Sequence, residues 1–152
     1  MRRIFIAIFP LLLFTSSCSI EPEPIYYGED NCAHCEMTIM DQRYGTEIVT
    51  SKGKVYKFDS VECLVEFLEN LKNKKEKPGK LLVTPFDHPG NLVNAGESFV
   101  LHSKNLPSPM GLYLSAFETE AAAGFFQDQY GGKIYNWDGL MEHFDMIKLA
   151  GR

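Results

Sequence analysis

An eight-residue segment occurs twice in this 152-residue chain, and it constrains the fold more than any other feature. The first copy is GKVYKFDS at residues 53–60, and the second is GKIYNWDG at residues 132–139, with four identical positions. In both copies apolar and polar residues alternate, and an apolar pattern of helical period follows, which predicts a strand leading into a helix. We therefore predict an α+β fold with two related ββαβ-like lobes, the first at residues 31–86 and the second at residues 87–152.

The helices carry clear start signals. Asp59 or Ser60 can cap the helix after the first copy, and Glu62 adds negative charge to its first turn. The apolar residues of that helix recur at helical spacing: Val61, Leu64, Val65, Leu68 and Leu71. The helix after the second copy is predicted to begin near Asp138 and to direct apolar side chains inward, namely Leu140, Phe144 and Ile147.

The second half of the chain contains room for a further helix. It is predicted at residues 120–130, with Thr119 as its cap and the glycine pair at 131–132 as its end. Residues 81–86 and 99–102 are rich in apolar and β-branched side chains and are predicted to be strands, separated by two turns.

The N-terminus is typical of an exported protein. Two arginines precede an uncharged apolar stretch at residues 4–14, which as a helix is about 16 Å long and too short to cross a bilayer core of about 30 Å. Small residues then lead to Cys18, as in the bacterial lipobox, although Thr15 departs from the usual aliphatic residue. We predict a signal peptide at 1–17, lipidation of Cys18 and a flexible tether at 18–30; the alternative is a soluble secreted protein.

The net charge and the number of cysteines limit the functions that this chain can have. A net charge of −5 makes nucleic acid an unsuitable partner. Once Cys18 is lipidated, three cysteines remain, namely Cys32, Cys35 and Cys63. Because an odd number cannot pair completely in an oxidising compartment, at least one thiol must stay free or bind a metal.

The segment CAHCEM at residues 32–37 is the densest group of soft metal ligands in the chain. A pair of cysteines at this spacing can direct both sulfurs to one centre, and thiolate with thioether is a ligand set that selects Cu(I). If the chain is extended after Cys35, Met37 lies on the same side as Cys35. A plain disulfide between Cys32 and Cys35 and a thioredoxin-like redox site are the alternatives, the latter disfavoured because no long helix follows.

Three further residues are candidates. Cys63 lies away from the centre of the apolar stripe of its helix, so it is either a third sulfur ligand or a partly buried free thiol. Met110, in SPMG at residues 108–111, precedes strand-like sequence as Met37 does, and the repeat predicts equivalent positions for the two methionines. His34 lies inside the cysteine motif, either as a ligand or facing solvent.

These motifs resemble those of two known groups. The cysteine pair followed by the first repeat copy and Cys63 is similar to treble-clef metal-binding modules of the TRASH and YHS type. The whole mature chain resembles the NosL family of copper-chaperone lipoproteins, through Cys18, the motif at 32–37, the repeat copy at 53–60, the turn at Asp87 and SPMG at 108–111. The family's paired ββαβ-like lobes agree with the repeat.

The NosL resemblance implies a function. Family members are lipid-anchored Cu(I) carriers that work with an ABC-type membrane assembly to supply nitrous oxide reductase. Carried over to this chain, Cys32, Cys35, Met37 and Met110 become the metal-site candidates, while Cys63 departs from the family pattern and adds a possible thiolate. We predict a periplasmic, membrane-anchored metallochaperone rather than an enzyme, since no hydrolytic triad or phosphate loop is present. The alternatives are a thiol-disulfide oxidoreductase and a zinc- or mercury-binding module.

Overall fold

The computed structural model describes residues 20–151, so the predicted signal peptide at 1–17 and the predicted lipidation site Cys18 lie outside the described residues. Within this range the chain forms two antiparallel sheets and three α-helices, which confirms the predicted α+β class. None of the helices in residues 20–151 combines the length and the apolar composition that a membrane span requires.

The first sheet is centred on a fully buried strand. β1 lies between β2 and β3, and short β4 pairs with the far edge of β3. The strand bounds are β1 Thr46–Thr50, β2 Val55–Phe58, β3 Pro78–Val83 and β4 Val93–Asn94. Helix α1, at Val61–Asn73, connects β2 to β3. Since β4 follows residue 87, the first sheet continues beyond the predicted lobe boundary.

Helix α1 begins where its local sequence predicts. Ser60 has extended backbone, with φ −162°, and its hydroxyl accepts the N–H of Cys63 at 3.4 Å. The face toward the core carries side chains that are at most 5% exposed, among them Leu64, Val65 and Leu71. Ser60, rather than Asp59, is therefore the cap, which leaves the Asp59 side chain free for other contacts.

The second sheet has the strand order β6-β5-β7. Its strands are β5 Phe99–His102, β6 Leu114–Phe117 and β7 Lys133–Asn136, with α2 at Glu120–Tyr130 before β7 and α3 at Trp137–Ala150 after it. The predicted bounds of α2 are confirmed: Thr119 accepts the N–H of Ala122 at 3.1 Å, and the helix ends at Gly131, with φ 67°.

The two sheets share one main core. It contains Ile48 and Phe58 of the first sheet, Val100 and Leu114 of the second, and the buried faces of α1 and α3. The inward residues predicted for α3 are confirmed, because Leu140, Phe144 and Ile147 all belong to this core. A smaller apolar cluster lies under α2.

The two copies of the repeat form the same local structure. Each begins at a glycine of positive φ, 80° at Gly53 and 104° at Gly132, and continues as a strand and a capped helix. In each copy the lysine ammonium lies over the tyrosine ring two residues later, at 4.4 Å in the first and 4.7 Å in the second. The predicted strand-to-helix junctions are therefore confirmed.

The repeat does not, however, relate the two sheets. Both sheets are built in the order strand, strand, helix, strand, with the first of these strands in the middle of the three. The first copy forms β2, the second strand of its unit, whereas the second copy forms β7, the last strand of its unit. The two copies therefore occupy different positions, and two lobes defined by this repeat are not confirmed. Local demands of a strand-to-helix junction explain the similarity.

Part of the segment predicted as a tether contacts the first sheet. The backbone N–H of Glu23 donates to the carboxylate of Glu47 at 3.1 Å. The ammonium of Lys57 donates to the carbonyl of Pro24 at 2.7 Å and to Asp30 at 2.8 Å. These contacts hold residues 23–30 against β1 and β2, so a flexible tether would have to precede Glu23.

Candidate metal centre

The CAHCEM segment folds into a tight turn. The N–H of Cys32 donates to the carbonyl of Met37 at 2.8 Å, and the N–H of Glu36 donates to the carbonyl of Cys32 at 3.0 Å. Glu36 has φ 64°, in the left-handed region that non-glycine residues seldom adopt. The condition under which Met37 lies on the same side as Cys35, an extended chain after Cys35, is therefore not met. The closed turn places Cys32 and Cys35 on the same side of the segment, whereas an extended chain would direct residues three apart to opposite sides.

Two contacts hold this turn against β2 and α1. The N–H of Ala33 donates to the carbonyl of Lys57, at the end of β2, at 2.8 Å. The ring of His34 is 2.8 Å from the carboxylate of Glu66 on α1, and Glu66 also pairs with Lys148 on α3 at 2.7 Å. His34 therefore binds the helix and is not among the clustered ligand atoms described next.

Four side chains meet where the turn contacts the β2–α1 junction. The ligand atoms of Cys32, Cys35, Asp59 and Cys63 all lie within 4.8 Å of one another. Cys32, Asp59 and Cys63 are buried, with exposures of 2%, 5% and 1%, and Cys35 is partly exposed. The structure thus brings together the three cysteines that the sequence singled out. All three are free in residues 20–151, so the alternative of a disulfide between Cys32 and Cys35 is not what the structure contains.

Asp59 is the member of the group that the sequence does not indicate as a ligand, because its position before a helix indicates a cap. Its oxygen Oδ2 lies 3.7 Å from the sulfur of Cys35, and Oδ1 is buried without a hydrogen-bond partner among the described residues. A buried carboxylate oxygen without a partner is costly unless a cation or proton compensates it. The sequence signal for Asp59 is that it lies four residues before Cys63, with the start of α1 between the two residues.

The sulfur centre favours one thiolate. Hydrogen bonding from the Cys63 thiol, helped by the backbone N–H groups of Cys35, Asp59 and His34, holds the pKa of Cys32 well below its ordinary value despite burial. The same hydrogen bond, together with burial, raises the pKa of Cys63. Burial also raises the pKa of Cys35. Cys32 is therefore the first sulfur available to bind a cation as a thiolate.

The two methionine candidates differ in the exposed fraction of their side chains. Met37 is 57% exposed, and its backbone carbonyl accepts the N–H of Cys32 at 2.8 Å. Met110 is 37% exposed and lines a cavity of about 290 Å³ together with Cys63. Met37 precedes β1 and Met110 precedes β6, so the repeat gives the two methionines no equivalent positions.

Comparisons with known proteins identify the family and the fold of the chain. The family model for NosL matches residues 26–144, which include every residue of the four-ligand group. The crystal structure of the copper chaperone NosL from Shewanella denitrificans has the same fold, with a TM-score of 0.62 and 20% sequence identity. That match covers 79% of this chain and 95% of the other chain. No curated protein matches the chain in a sequence search. The extent of the family match shows that this chain belongs to the NosL family.

Proposed function

We propose that this protein is a non-enzymatic Cu(I) carrier of the periplasm that supplies copper for the maturation of nitrous oxide reductase. The observation that carries the proposal is the group of three cysteine sulfurs and one carboxylate within 4.8 Å, in a chain of the NosL family. Thiolates are among the soft ligands that Cu(I) prefers, and the low coordination number of Cu(I) lets an acceptor replace the ligands one at a time.

Cys63 supplies the sharpest test of this centre. Metal-free, reduced mature chain carrying Cys18→Ala is titrated with Cu(I) against a colorimetric Cu(I) chelator. We expect Cys63→Ser to weaken Cu(I) binding by at least about tenfold, or 1.4 kcal/mol, because it removes one soft donor. Met146→Leu serves as a control, since that methionine is 59% exposed on α3 and lies outside the cysteine group. If wild-type protein fails to compete for Cu(I), the copper proposal is wrong.

A zinc-binding module is the second candidate, and Asp59 is the observation that favours it. Three cysteines and one carboxylate form a four-donor set of the kind that tetrahedral zinc accepts. Asp59→Asn separates the two cases: the loss of a hard oxygen donor should weaken Zn(II) binding much more than Cu(I) binding. Retention of Zn(II) with no uptake of Cu(I) would establish zinc as the metal that this centre binds.

A thiol-disulfide oxidoreductase finds less support in the geometry. An attacking cysteine needs both a low pKa and access to its substrate. Here the cysteine with the lowered pKa, Cys32, is 2% exposed, and the accessible Cys35 has a raised pKa. We expect no reduction of insulin by the reduced protein; sustained turnover in that assay would support the enzyme.

Anchoring through Cys18 is part of the proposal. Cys18→Ala is expected to move the protein from the membrane fraction to the soluble periplasmic fraction without changing Cu(I) affinity, because a lipid anchor and the cysteine group are separate. Fractionation of cells that express each form decides the point. A variant that stays in the membrane fraction would contradict the lipid anchor.

The proposed acceptor is the ABC-type assembly that matures nitrous oxide reductase. This part rests on the resemblance to NosL and on the exchangeable ligands of the centre. In a denitrifying host that lacks its own NosL, wild-type protein should restore the copper content of nitrous oxide reductase, and Cys63→Ser protein should restore less. Full copper loading without any NosL protein would remove the delivery role.

A further inference from the structure

Five exposed lysines lie together at one end of the first sheet. This group, the basic end, consists of two lysines in the β1–β2 turn and three between α1 and β3: Lys52, Lys54, Lys74, Lys75 and Lys77. The two segments are in contact, because the N–H of Ser51 donates to the carbonyl of Lys77 at 2.9 Å. Lys52, Lys75 and Lys77 line a cavity of about 200 Å³. Positive charge is thus concentrated at one end of a chain whose net charge is −5.

The charge of the basic end is not neutralised by ion pairs in the part of the chain that the structure describes. None of the five ammonium groups pairs with a carboxylate there. Lys54 and Lys74 instead lie over the ring of Tyr56, at 4.4 Å and 5.9 Å from its centroid. The carboxylate of Glu76, within the same segment, accepts the hydroxyl of Tyr56 at 3.0 Å and offsets at most one of the five charges. The basic end therefore remains available to an external anionic partner.

The amino-terminal segment of the described chain runs toward the basic end. The N–H of Glu23 donates to Glu47 at 3.1 Å, and two residues earlier Glu21 pairs with Lys80 at 3.1 Å. Lys80 lies opposite Val49 in the pairing of β1 with β3, two residues further along β1 than Glu47. Because β1 continues from Val49 into the β1–β2 turn of the basic end, the segment approaches that end from Glu23 back to Glu21.

The length of the chain then places the proposed lipid anchor near the same end. Cys18 lies five residues before Glu23, and five residues span at most about 18 Å. Lys52 lies five residues after Glu47, the residue that holds Glu23, so it is at a similar distance along the chain. A membrane that contains the acyl chains of Cys18 would therefore lie within reach of the basic end.

The cysteine group lies at the other end of α1. Cys63 is in the first turn of this helix, whereas Lys74 is the residue that caps its end. The two residues are eleven positions apart, which at a rise of 1.5 Å per residue is about 16 Å along the helix axis. A protein that rests on a membrane through its basic end therefore directs the cysteine group away from the bilayer.

We propose that the basic end docks on anionic phospholipid headgroups, as a second membrane contact beside the lipid anchor. The inference rests on the lipid anchoring proposed above and adds an orientation to it. Lysine clusters beside an anchor bind anionic headgroups by charge attraction, which acts within about a Debye length. Because the rest of the chain is acidic overall, the same headgroups repel its other faces, so one orientation is favoured. Without an anchor such binding is weak and reversible, so Cys18→Ala protein still leaves the membrane fraction at physiological ionic strength.

Vesicle binding of mature chain carrying Cys18→Ala tests the basic end without its anchor. Vesicles of phosphatidylglycerol and phosphatidylcholine are compared with vesicles of phosphatidylcholine alone, by co-sedimentation at low ionic strength. We expect binding to the anionic vesicles only. The double variant Lys75→Gln/Lys77→Gln should weaken this binding at least about tenfold, because each lysine near an anionic surface adds to the attraction. The matched control is Lys104→Gln/Lys133→Gln, which removes two exposed lysines beside the second sheet and should stay within about twofold of the parent protein.

Equal losses in the two double variants would overturn the proposal, because binding would then depend on net charge and not on the basic end. An absence of binding to anionic vesicles at low ionic strength would overturn it as well. So would displacement from the vesicles by inorganic phosphate at unchanged ionic strength, which would indicate a site for a free anion. Wild-type protein that binds no Cu(I), or that carries no lipid, would contradict the proposed function and leave this vesicle binding unchanged, so the failures are distinguishable.

The lipidated wild-type protein tests the orientation directly. It is anchored to anionic or to neutral vesicles, its lysines are acetylated with a reagent that does not cross bilayers, and the products are quantified by mass spectrometry. Lys52, Lys75 and Lys77 should react at least about threefold more slowly on anionic than on neutral vesicles, because headgroups cover them. Lys104 and Lys133 should react equally on both. Equal protection of the two groups of lysines would overturn docking through the basic end.

Discussion

Glu47 gives the protein a pH-dependent stability that can be worked out from its surroundings. It is the second residue of β1, an inner strand of the first sheet, and is 0% exposed. Its partners are the backbone N–H of Glu23, at 3.1 Å and 3.4 Å, and the nearby charge of Lys57. Burial outweighs both and raises the pKa of Glu47 from 4.5 to about 7.

The direction and the size of this pH dependence follow from the linkage between protonation of Glu47 and folding. The folded state binds the Glu47 proton more tightly than the unfolded state, so the protonated form favours folding. The stabilisation is fully present below about pH 4.5 and is lost as the pH rises to about 7. Since one pKa unit corresponds to about 1.4 kcal/mol, the loss is about 3 kcal/mol. Glu47→Gln keeps the shape and removes the ionisation, so it should gain stability relative to wild type over that range.

The assay is urea denaturation of metal-free, reduced mature chain between pH 4.5 and pH 8.5. The free energy of unfolding of Glu47→Gln minus that of wild type should rise by about 2 to 3 kcal/mol across the range. Glu118→Gln is the control, because it removes a carboxylate that is exposed beside α2. A difference for Glu47→Gln that stays constant with pH would refute the argument that burial raises this pKa.

Three further outcomes are expected from the same structure. In metal-free native protein carrying Cys18→Ala, a thiol reagent should modify Cys35 first. Cys32 and Cys63 should react only as the protein unfolds, because they are 2% and 1% exposed. Equal rates of modification at all three cysteines would contradict the buried centre. Leu140→Ala, at a position that is 0% exposed in the shared core, should lower the free energy of unfolding by about 2 to 5 kcal/mol in urea titrations. Thr119→Ala should remove the cap of α2 at a cost of about 1 kcal/mol and leave Cu(I) affinity unchanged, since α2 packs on the second sheet.

The helices could be predicted because their signals are local. Ser60 and Thr119 precede apolar residues at helical spacing, and each accepts an N–H three residues later in the structure. The side chains buried along α3 follow from the same periodicity. None of these features depends on where the rest of the chain lies, so a linear pattern is sufficient to find them.

The sheet arrangement could not be predicted from the repeat, because pairing depends on contacts between distant segments. The second copy forms β7, which pairs with β5, whereas the first copy forms β2, which pairs with β1. A glycine of positive φ, an alternating strand and a cap satisfy the same junction in either position. Sequence similarity over such a short segment therefore reports the junction, and the partner of each strand is set by the core.

The candidate metal site shows the same division between local and distant information. Cys32 and Cys35 could be chosen from their spacing, since one turn contains both. Asp59 is harder to choose from the sequence, because it lies 24 residues from Cys35 and joins the cysteine pair only when the turn packs against the β2–α1 junction. The turn and the β2–α1 junction each supply two of the four ligand atoms, so neither unit forms the complete group alone. A centre divided between two segments can change its geometry by a small movement of one of them, and ligand exchange by a carrier requires that property.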